Sequence, residues 1–543
     1  MATPGTFSSP AQEASDLTDG NVKDAFEKGH DADCKPTVSA ASHTDSDRER
    51  DLEKGTESAT TAPIEGCLSA PEPADPNIVF WDEPADQDPQ NPMNWSAKMK
   101  WGNIALLSTL SLITPLASSM FAPGVPEVMR EFHSTSQTLA TFVVSVYVLG
   151  FAVGPLFVAP LSEIYGRMPI YQVSNVLFII FTIACAVSTN MGMLIAFRFL
   201  MGCVGSTPLT IGGGTIADIM PTERRAGAMA IWAMGPLLGP VAGPVAGGYL
   251  VQAAGWRWVY WLITIAAGVF AIAGFLLMRE TYAPVLLSRK AARLRKETGN
   301  ENLRSKLDNG LTPKELMKRA ITRPLRMLVG SPIVLLLSTY MAVIYAILYL
   351  LFTTFTFVFE EYYGFDSGTV GLTYIGTGAG MIIGLGVIGA ASNRIIQQAM
   401  ARGELLKPEM RIPLKLTLLG AIPIPVGLFI YGWTAQNHVH WAVPLLGTLF
   451  VGFGLICLFM CIQTYLVDAF TVHAASAMAA NTVLRSTFGA VIPLGGLDMY
   501  DALGLGWGNS LLEFVALAMI PIVVVFKKYG ESIRTQTKWQ VKL

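Results

Sequence analysis

Two arginines stand inside stretches that are otherwise apolar. Arg198 lies in Leu194-Ile-Ala-Phe-Arg-Phe-Leu-Met-Gly-Cys-Val-Gly205, and Arg485 shares the middle of a later run with Asn481. A guanidinium at the centre of a membrane helix costs about 2.5–3.5 kcal/mol on insertion scales. Each must therefore face a protein interior or a wet cavity, which makes both candidates for handling a solute or a proton. A third constellation, Ala159-Pro-Leu-Ser-Glu-Ile-Tyr-Gly-Arg-Met-Pro169, sets Glu163 and Arg167 four residues apart around Gly166. Such a pair can latch one conformation and release in another, or be a solvated pair worth under about 1 kcal/mol. Gly239-x3-Gly243-Pro244-x2-Gly247-Gly248 has the spacing that lets two helices approach closely, with a proline opening the backbone ladder. Tyr345 and Tyr349, with Tyr147 and Trp232 elsewhere, are candidate lining for a lipophilic, aromatic or cationic solute. Aromatic rows on membrane helices more often meet lipid or pack against neighbours. No span carries an obvious central acid, so the candidates for proton coupling are Arg198 beside an acid, Asp218 and Glu513.

The elements that must position these residues follow from composition. The chain has 543 residues, 52% hydrophobic and 14% charged, with mean hydropathy +0.44 and net charge −2. Soluble domains are about 25% charged, so a water-facing surface is excluded for most of the chain. The near-zero net charge hides a split. Residues 1–95 hold 20 acidic and 6 basic residues, a net of −14, and the remaining 448 carry +12. The first 95 lack apolar periodicity and read as a disordered acidic cytosolic tail, with no signal-peptide pattern.

Beyond the tail, twelve runs can each cross a ~30 Å hydrocarbon core as a helix of about 20 residues. Six lie near 101–121, 138–158, 169–188, 191–214, 226–249 and 257–278, and six near 332–357, 368–391, 412–433, 441–463, 474–498 and 507–527. The expected organisation is a tail (1–95), a six-helix bundle (96–280), a basic cytosolic linker (281–330), a second six-helix bundle (331–527) and a short cytosolic tail (528–543). With the N-terminus inside, external loops hold 2 Lys/Arg and internal loops 21. That bias places both termini in the cytosol, and the basic linker suits an anionic inner leaflet.

Other chemistries find no support. Cys34 and Cys67 lie in the tail, while Cys185, Cys203, Cys457 and Cys461 lie in apolar runs without the partners of a zinc site. There is no Gly-Lys dipeptide, hence no Walker A loop. His438-Val-His440 reads as a surface loop. No metal, cofactor, enzyme activity or nucleic-acid partner is expected.

The 159–169 loop resembles the signature loop of the major facilitator superfamily. Leu161, Ser162, Glu163, Gly166 and Arg167 match its pattern, while Ala159 and Met168 depart from it. Arg198, Gly202 and Gly205 resemble a second family motif whose arginine is implicated in proton transfer. Gly239, Gly243, Pro244, Gly247 and Gly248 resemble the antiporter motif of drug:proton exporters, with Ala230 where its first glycine would stand. Asp88-Pro-Gln-Asn-Pro-Met-Asn-Trp-Ser96, Phe121-Ala-Pro-Gly-Val-Pro126, Gly213-Gly-Thr-Ile-Ala-Asp218 and Lys407-Pro-Glu-Met-Arg-Ile-Pro413 are similar to the fungal branch of those exporters.

The resemblance implies an all-α membrane protein of twelve helices in two halves. It would be a monomer that exports small lipophilic compounds in exchange for protons across the plasma membrane, with an internal membrane as the alternative. Polyamine or nutrient transport on the same fold, and a transporter-like sensor signalling through the tail, are the competing readings. Deleting residues 1–80 separates the last, because a sensor loses its output and a transporter keeps its flux.

Overall fold

The computed structural model describes residues 77–84, 87–308, 310, 312–403, 408–470 and 473–535. The expected acidic tail up to residue 76, Lys407 and residues 536–543 lie outside them, as do the side chains of Asn393 and Lys527.

Among the described residues, eleven helical stretches are long and apolar enough to cross a membrane. The last, Ala474–Phe526, has 53 residues. At 1.5 Å per residue it would run roughly 80 Å if straight, far beyond a ~30 Å core. It is not straight: a short 3-10 turn at Ile492–Gly495 and non-helical backbone at Gly504 interrupt it. It therefore supplies spans eleven and twelve, giving twelve crossings.

In order, the first six spans are built from Ala97–Ser119, Gln137–Tyr165, Arg167–Ala186, Met191–Gly205 with Thr207–Ile219, Thr222–Ala254 and Arg257–Leu277. Spans seven to ten are Pro332–Tyr363, Ser367–Ala401, Leu414–Ala421 with Pro423–Gln436, and Ala442–Ala469. Several helices overrun the apolar runs; span seven continues to Tyr363, six residues past the expected end. Lipid offers no hydrogen bonds, so backbone polar groups must be satisfied internally. Span starts use side-chain caps accordingly. The hydroxyls of Ser96 and Ser136 accept from Met99 and Leu139 N–H, and the Asn190 amide oxygen accepts from Met193 N–H.

The segment linking span six to span seven holds two helices, Ala283–Thr298 and Pro313–Gly330. The second packs on spans two and eleven and is capped by reciprocal bonds between Thr312 and Glu315. The end of the molecule that carries this linker is called the linker side below, and the opposite end the far side.

A strap preceding span one is bound to the linker. Ile78–Val79 pairs in parallel with Arg304–Ser305, and Val79 packs with Ala291 and Leu303. Lys290 Nζ meets Asp82 at 2.7 Å and Asp88 at 3.6 Å. Asp88 is buried, which alone would raise its pKa, yet N–H donors from Asp82 and Gln90 and the Lys290 charge hold it below 3.8. A depressed carboxylate pKa stabilises above the unfolded value and loses that contribution as pH falls through the folded one. The strap should therefore hold from neutrality down to about pH 5 and loosen only in the range below 3.8. Lys290→Gln, by contrast, should expose residues 78–88 to protease several-fold faster at pH 7. Limited proteolysis checks this, and equal cleavage of both forms would refute it.

Side-chain hydrogen bonds join the first six spans to the last six at the far side. Gln137 Nε2 donates to Asp501 and Gln252 Nε2 to Asp366, each at 2.9 Å, and Thr356 Oγ1 donates to the Ala122 carbonyl at 3.3 Å. A further one, between Ser118 Oγ and Tyr349 Oη at 3.4 Å, links spans one and seven deeper in the molecule.

Candidate functional site

Arg198 is fully buried on span four. Gly202, one turn on, lets this helix press against the backbone of Tyr147 on span two, where a Cβ would collide with the Tyr147 carbonyl. The guanidinium then reaches three other spans. Nη1 donates to Tyr260 Oη at 2.8 Å on span six, and Nη2 to the carbonyls of Ser118 at 3.1 Å and Val144 at 3.5 Å. The Ser118 carbonyl is open because span one ends at Ser119. The guanidinium also lies 4.8 Å from the Phe121 ring centre.

The expected acid beside Arg198 is absent among the described residues: a phenol, two carbonyls and aromatic faces disperse its charge instead. An arginine keeps its proton in proteins, so Arg198 can organise a proton step and cannot itself carry the proton.

Ser118 connects this cluster to the other half. Its hydroxyl meets Tyr349, whose ring lies 5.0 Å from that of Tyr345. Tyr345 in turn faces Arg485 of span eleven, with the guanidinium carbon 5.0 Å from the ring centre and 5.2 Å from that of Phe459. Gly489, one turn beyond Arg485, leaves the room Tyr345 occupies; a Cβ there would lie 2.9 Å from the ring. Asn481, one turn before Arg485, is fully buried with both amide atoms unpartnered, and Arg485 Nε is also unpartnered. The result is a continuous path: Arg198, Ser118, Tyr349, Tyr345, Arg485.

At the linker side Arg167 makes its close ion pair with Asp218, while Glu163 of the expected pair feels its charge from farther away. Gly166 takes φ +103°, a conformation side chains rarely tolerate, and ends span two there. Glu163 stays in the last turn of that helix, whereas Arg167 opens span three and reaches Asp218 at the end of span four, Nε to Oδ2 3.3 Å. Ser162 Oγ accepts from Arg167 Nη1 at 2.7 Å. Glu280 then accepts the backbone N–H groups of Arg167 and Met168 at 2.9 and 3.2 Å, filling the space a Gly166 side chain would need. The first half thus ties spans two, three and four to the end of span six through Arg167, Asp218 and Glu280.

The glycines of span five serve two neighbours. Gly239, Gly243 and Gly247 lie against span one, where added Cβ atoms would meet Leu116, Ser119 and Met120. Gly248 turns to span eight in the other half, against the Ser367 carbonyl and the Gly371 Cα, and Gly371 in turn meets the Pro244 carbonyl. One sequence pattern therefore serves both packing within a half and the far-side seam.

The remaining sequence candidates fall elsewhere. Tyr147 is fully buried and donates to the Thr114 carbonyl at 2.9 Å, so it supports Arg198 and lines no open space. Trp232 is half-buried and donates to Ser111 Oγ at 2.7 Å. Glu513 is half-buried on span twelve beside the exposed Phe514 and pairs with neither arginine. Asp218 lies twenty residues along span four from Arg198, roughly 30 Å at 1.5 Å per residue. Ser118, Tyr260, Phe459 and Glu280 were not singled out by the sequence, and Phe121 stood there only as the first residue of a family-like motif. Each owes its role to a contact between spans that no local spacing encodes.

Together these features define an all-α membrane transporter, with a polar path bridging two six-span sets. The chain belongs to the Major Facilitator Superfamily, whose family model matches residues 107–493. It is 54% identical over 511 residues to the efflux pump radE of Floropilus chiversii, covering 94% of both chains. It is 56% identical to the MFS-type transporter penM of Penicillium rubens, over 86% of this chain and 91% of that one. Among solved structures it resembles a bacterial homologue of the lysosomal transporter Spinster (TM-score 0.56, 15% identity, 81% of this chain and 98% of that one). It also resembles the D-xylose–proton symporter (TM-score 0.57, 16% identity, 79% and 97%). These last two share the fold. The family consists of transporters rather than enzymes.

Proposed function

We propose that this protein exports small lipophilic compounds, a drug such as an azole or a secreted toxic metabolite, in exchange for protons. The observation that carries the reading is the path from Arg198 to Arg485 across the join between the two six-span sets. A solute held there contacts both sets, so rocking one set against the other would expose it to each side in turn. The efflux pump among the relatives supports the outward direction. The basic loops support a cytosolic linker side with both termini inside, and in this reading the protein is a monomer in the plasma membrane. In the structure the halves then meet at the external side through Gln137–Asp501, Gln252–Asp366 and Gly248.

Residues around Gly166 serve as the conformational latch, with Arg167 held by Asp218 and Glu280 and with Glu163 near enough to feel the charges of Arg167 and Arg323 and to pair more closely in the other state. One proton entering down 100 mV supplies about 2.3 kcal/mol, enough for a roughly 50-fold solute gradient at one-to-one exchange.

Cells overproducing the protein should extrude a fluorescent lipophilic dye and an azole, and a protonophore should stop both. Efflux that survives collapse of the proton gradient would rule out the exchange.

A further inference from the structure

Arg485 differs from Arg198 in one decisive respect. Arg198 has both terminal nitrogens engaged, Nη1 by a phenol and Nη2 by two carbonyls, and leaves only its Nε without a partner. Among the described residues, Arg485 meets the ring faces of Tyr345 and Phe459 and no hydrogen-bond acceptor, and its Nε is likewise buried without a partner. No carboxylate pairs with either guanidinium among the described residues, so the path carries uncompensated positive charge. On the same face of span eleven, one turn away, Asn481 is fully buried with its amide oxygen and nitrogen both unpartnered. A buried polar group without a partner calls for an explanation such as a ligand, and here a cation stands beside it.

We infer that Arg485 and Asn481 bind the acidic group of the cargo, so that the exported class is lipophilic aromatic acids carried as anions. This deepens the exporter reading and rests on it. A guanidinium is a planar donor fork matched to a carboxylate or an acidic enolate. Tyr345 and Phe459 then present aromatic faces beside the bound charge, and Asn481 supplies a donor to its second oxygen. A cationic solute, equally open on the aromatic residues alone, meets like charge at this position. The inference also accounts for the lack of a central carboxylate: the cargo brings the negative charge itself, and an interior-negative potential favours its exit.

The test uses the full-length protein in phosphatidylcholine nanodiscs and three probes: 1-pyrenebutanoic acid, its neutral amide and a pyrenebutyl trimethylammonium salt. At pH 7 the acid should bind at least about tenfold more tightly than the amide, and the ammonium salt most weakly. Arg485→Gln should remove that preference, bringing the acid down to the affinity of the amide, and Arg485→Lys should keep most of it. Equal binding of the amide or the ammonium salt, or no binding of the acid, overturns the inference without any variant. So does an Arg485→Gln protein that still prefers the acid. The two readings fail separately in proteoliposomes. Proton-driven export of the ammonium probe alone would keep the exporter and remove this site. Arg485-dependent binding of the acid without any flux would keep the site and remove the exporter.

Discussion

Arg198→Ala should lower transport at least about tenfold while leaving membrane insertion and yield close to those of the unaltered protein. The asymmetry follows from what surrounds the guanidinium. Removing one member of a buried ion pair strands a charge and costs about 3–5 kcal/mol. No such partner exists among the described residues: Arg198 is held by Tyr260 and two carbonyls, and their loss of a donor costs about 1–3 kcal/mol. Part of that is offset because a charge no longer has to be inserted. Transport is a different matter. Arg198 joins spans one, two, four and six, and through Ser118 it reaches Tyr349 of the opposite half. Without it, the first half loses the charged member of the path, and under the proposed exchange the neighbouring phenols lose the charge that would organise proton movement. Tyr260→Phe should show a milder defect of the same kind, since one hydrogen bond is lost and two remain. Vesicle flux beside size-exclusion profiles checks both. Normal flux in the alanine variant would remove Arg198 from the mechanism.

Gly248→Val should reduce flux at least about tenfold by a different route, with little loss of folded protein. The added side chain would collide with the Ser367 carbonyl and Gly371 across the seam between halves. Overpacking of this kind costs about 1–3 kcal/mol. Under the proposed alternation this contact exists only when the far side is closed, so the whole cost falls on that state and shifts the equilibrium about 5–150-fold towards the opposite one. A cysteine placed at Thr356, buried at the same seam, should then become reactive to an impermeant maleimide from the external side. Gly247→Val provides the contrast. That position lies against Met120 of span one within a single half, so its substitution should lower thermal stability and yield without opening the seam. Identical behaviour of the two variants would contradict the division of this glycine pattern between two partners.

Much of the fold was legible because the bilayer imposes a length. Twenty apolar residues in a row are a local signal, and the runs ending near residues 278 and 433 match spans six and nine closely. Where prolines or turns interrupt a run the signal blurs. Span four divides at Ser206, span nine at Ile422 and span eleven at Ile492. The pairing of Ile78–Val79 with the linker gave no signal, because a two-residue strand has no period, and Asp88 was legible only as the start of a family-like motif.

In the site, isolated cost was readable and partnership was not. Arg198, Arg485 and Asn481 stood out as expensive residues in apolar runs. The partner of Arg167 lies 51 residues away, and the acid that receives its backbone N–H lies 113 away. The nearby Glu163 was therefore the only partner the sequence could offer. Tyr147 and Trp232 had the right chemistry to line a cavity, yet each uses its polar atom on a neighbouring helix. Glu513 stood out as an acid in an apolar run, but among the described residues it pairs with neither arginine.

The central claim is that solute and proton move in opposite directions through the site that joins the two halves. Purified full-length protein in proteoliposomes with an acidic lumen and a lumenal pH dye tests it directly. Adding a dye that cells extrude in the protonophore assay should alkalinise the lumen while the dye accumulates there, and neither should occur with Arg198→Ala. Dye that equilibrates without any lumenal pH change, or that accumulates equally with no pH gradient, would contradict the account.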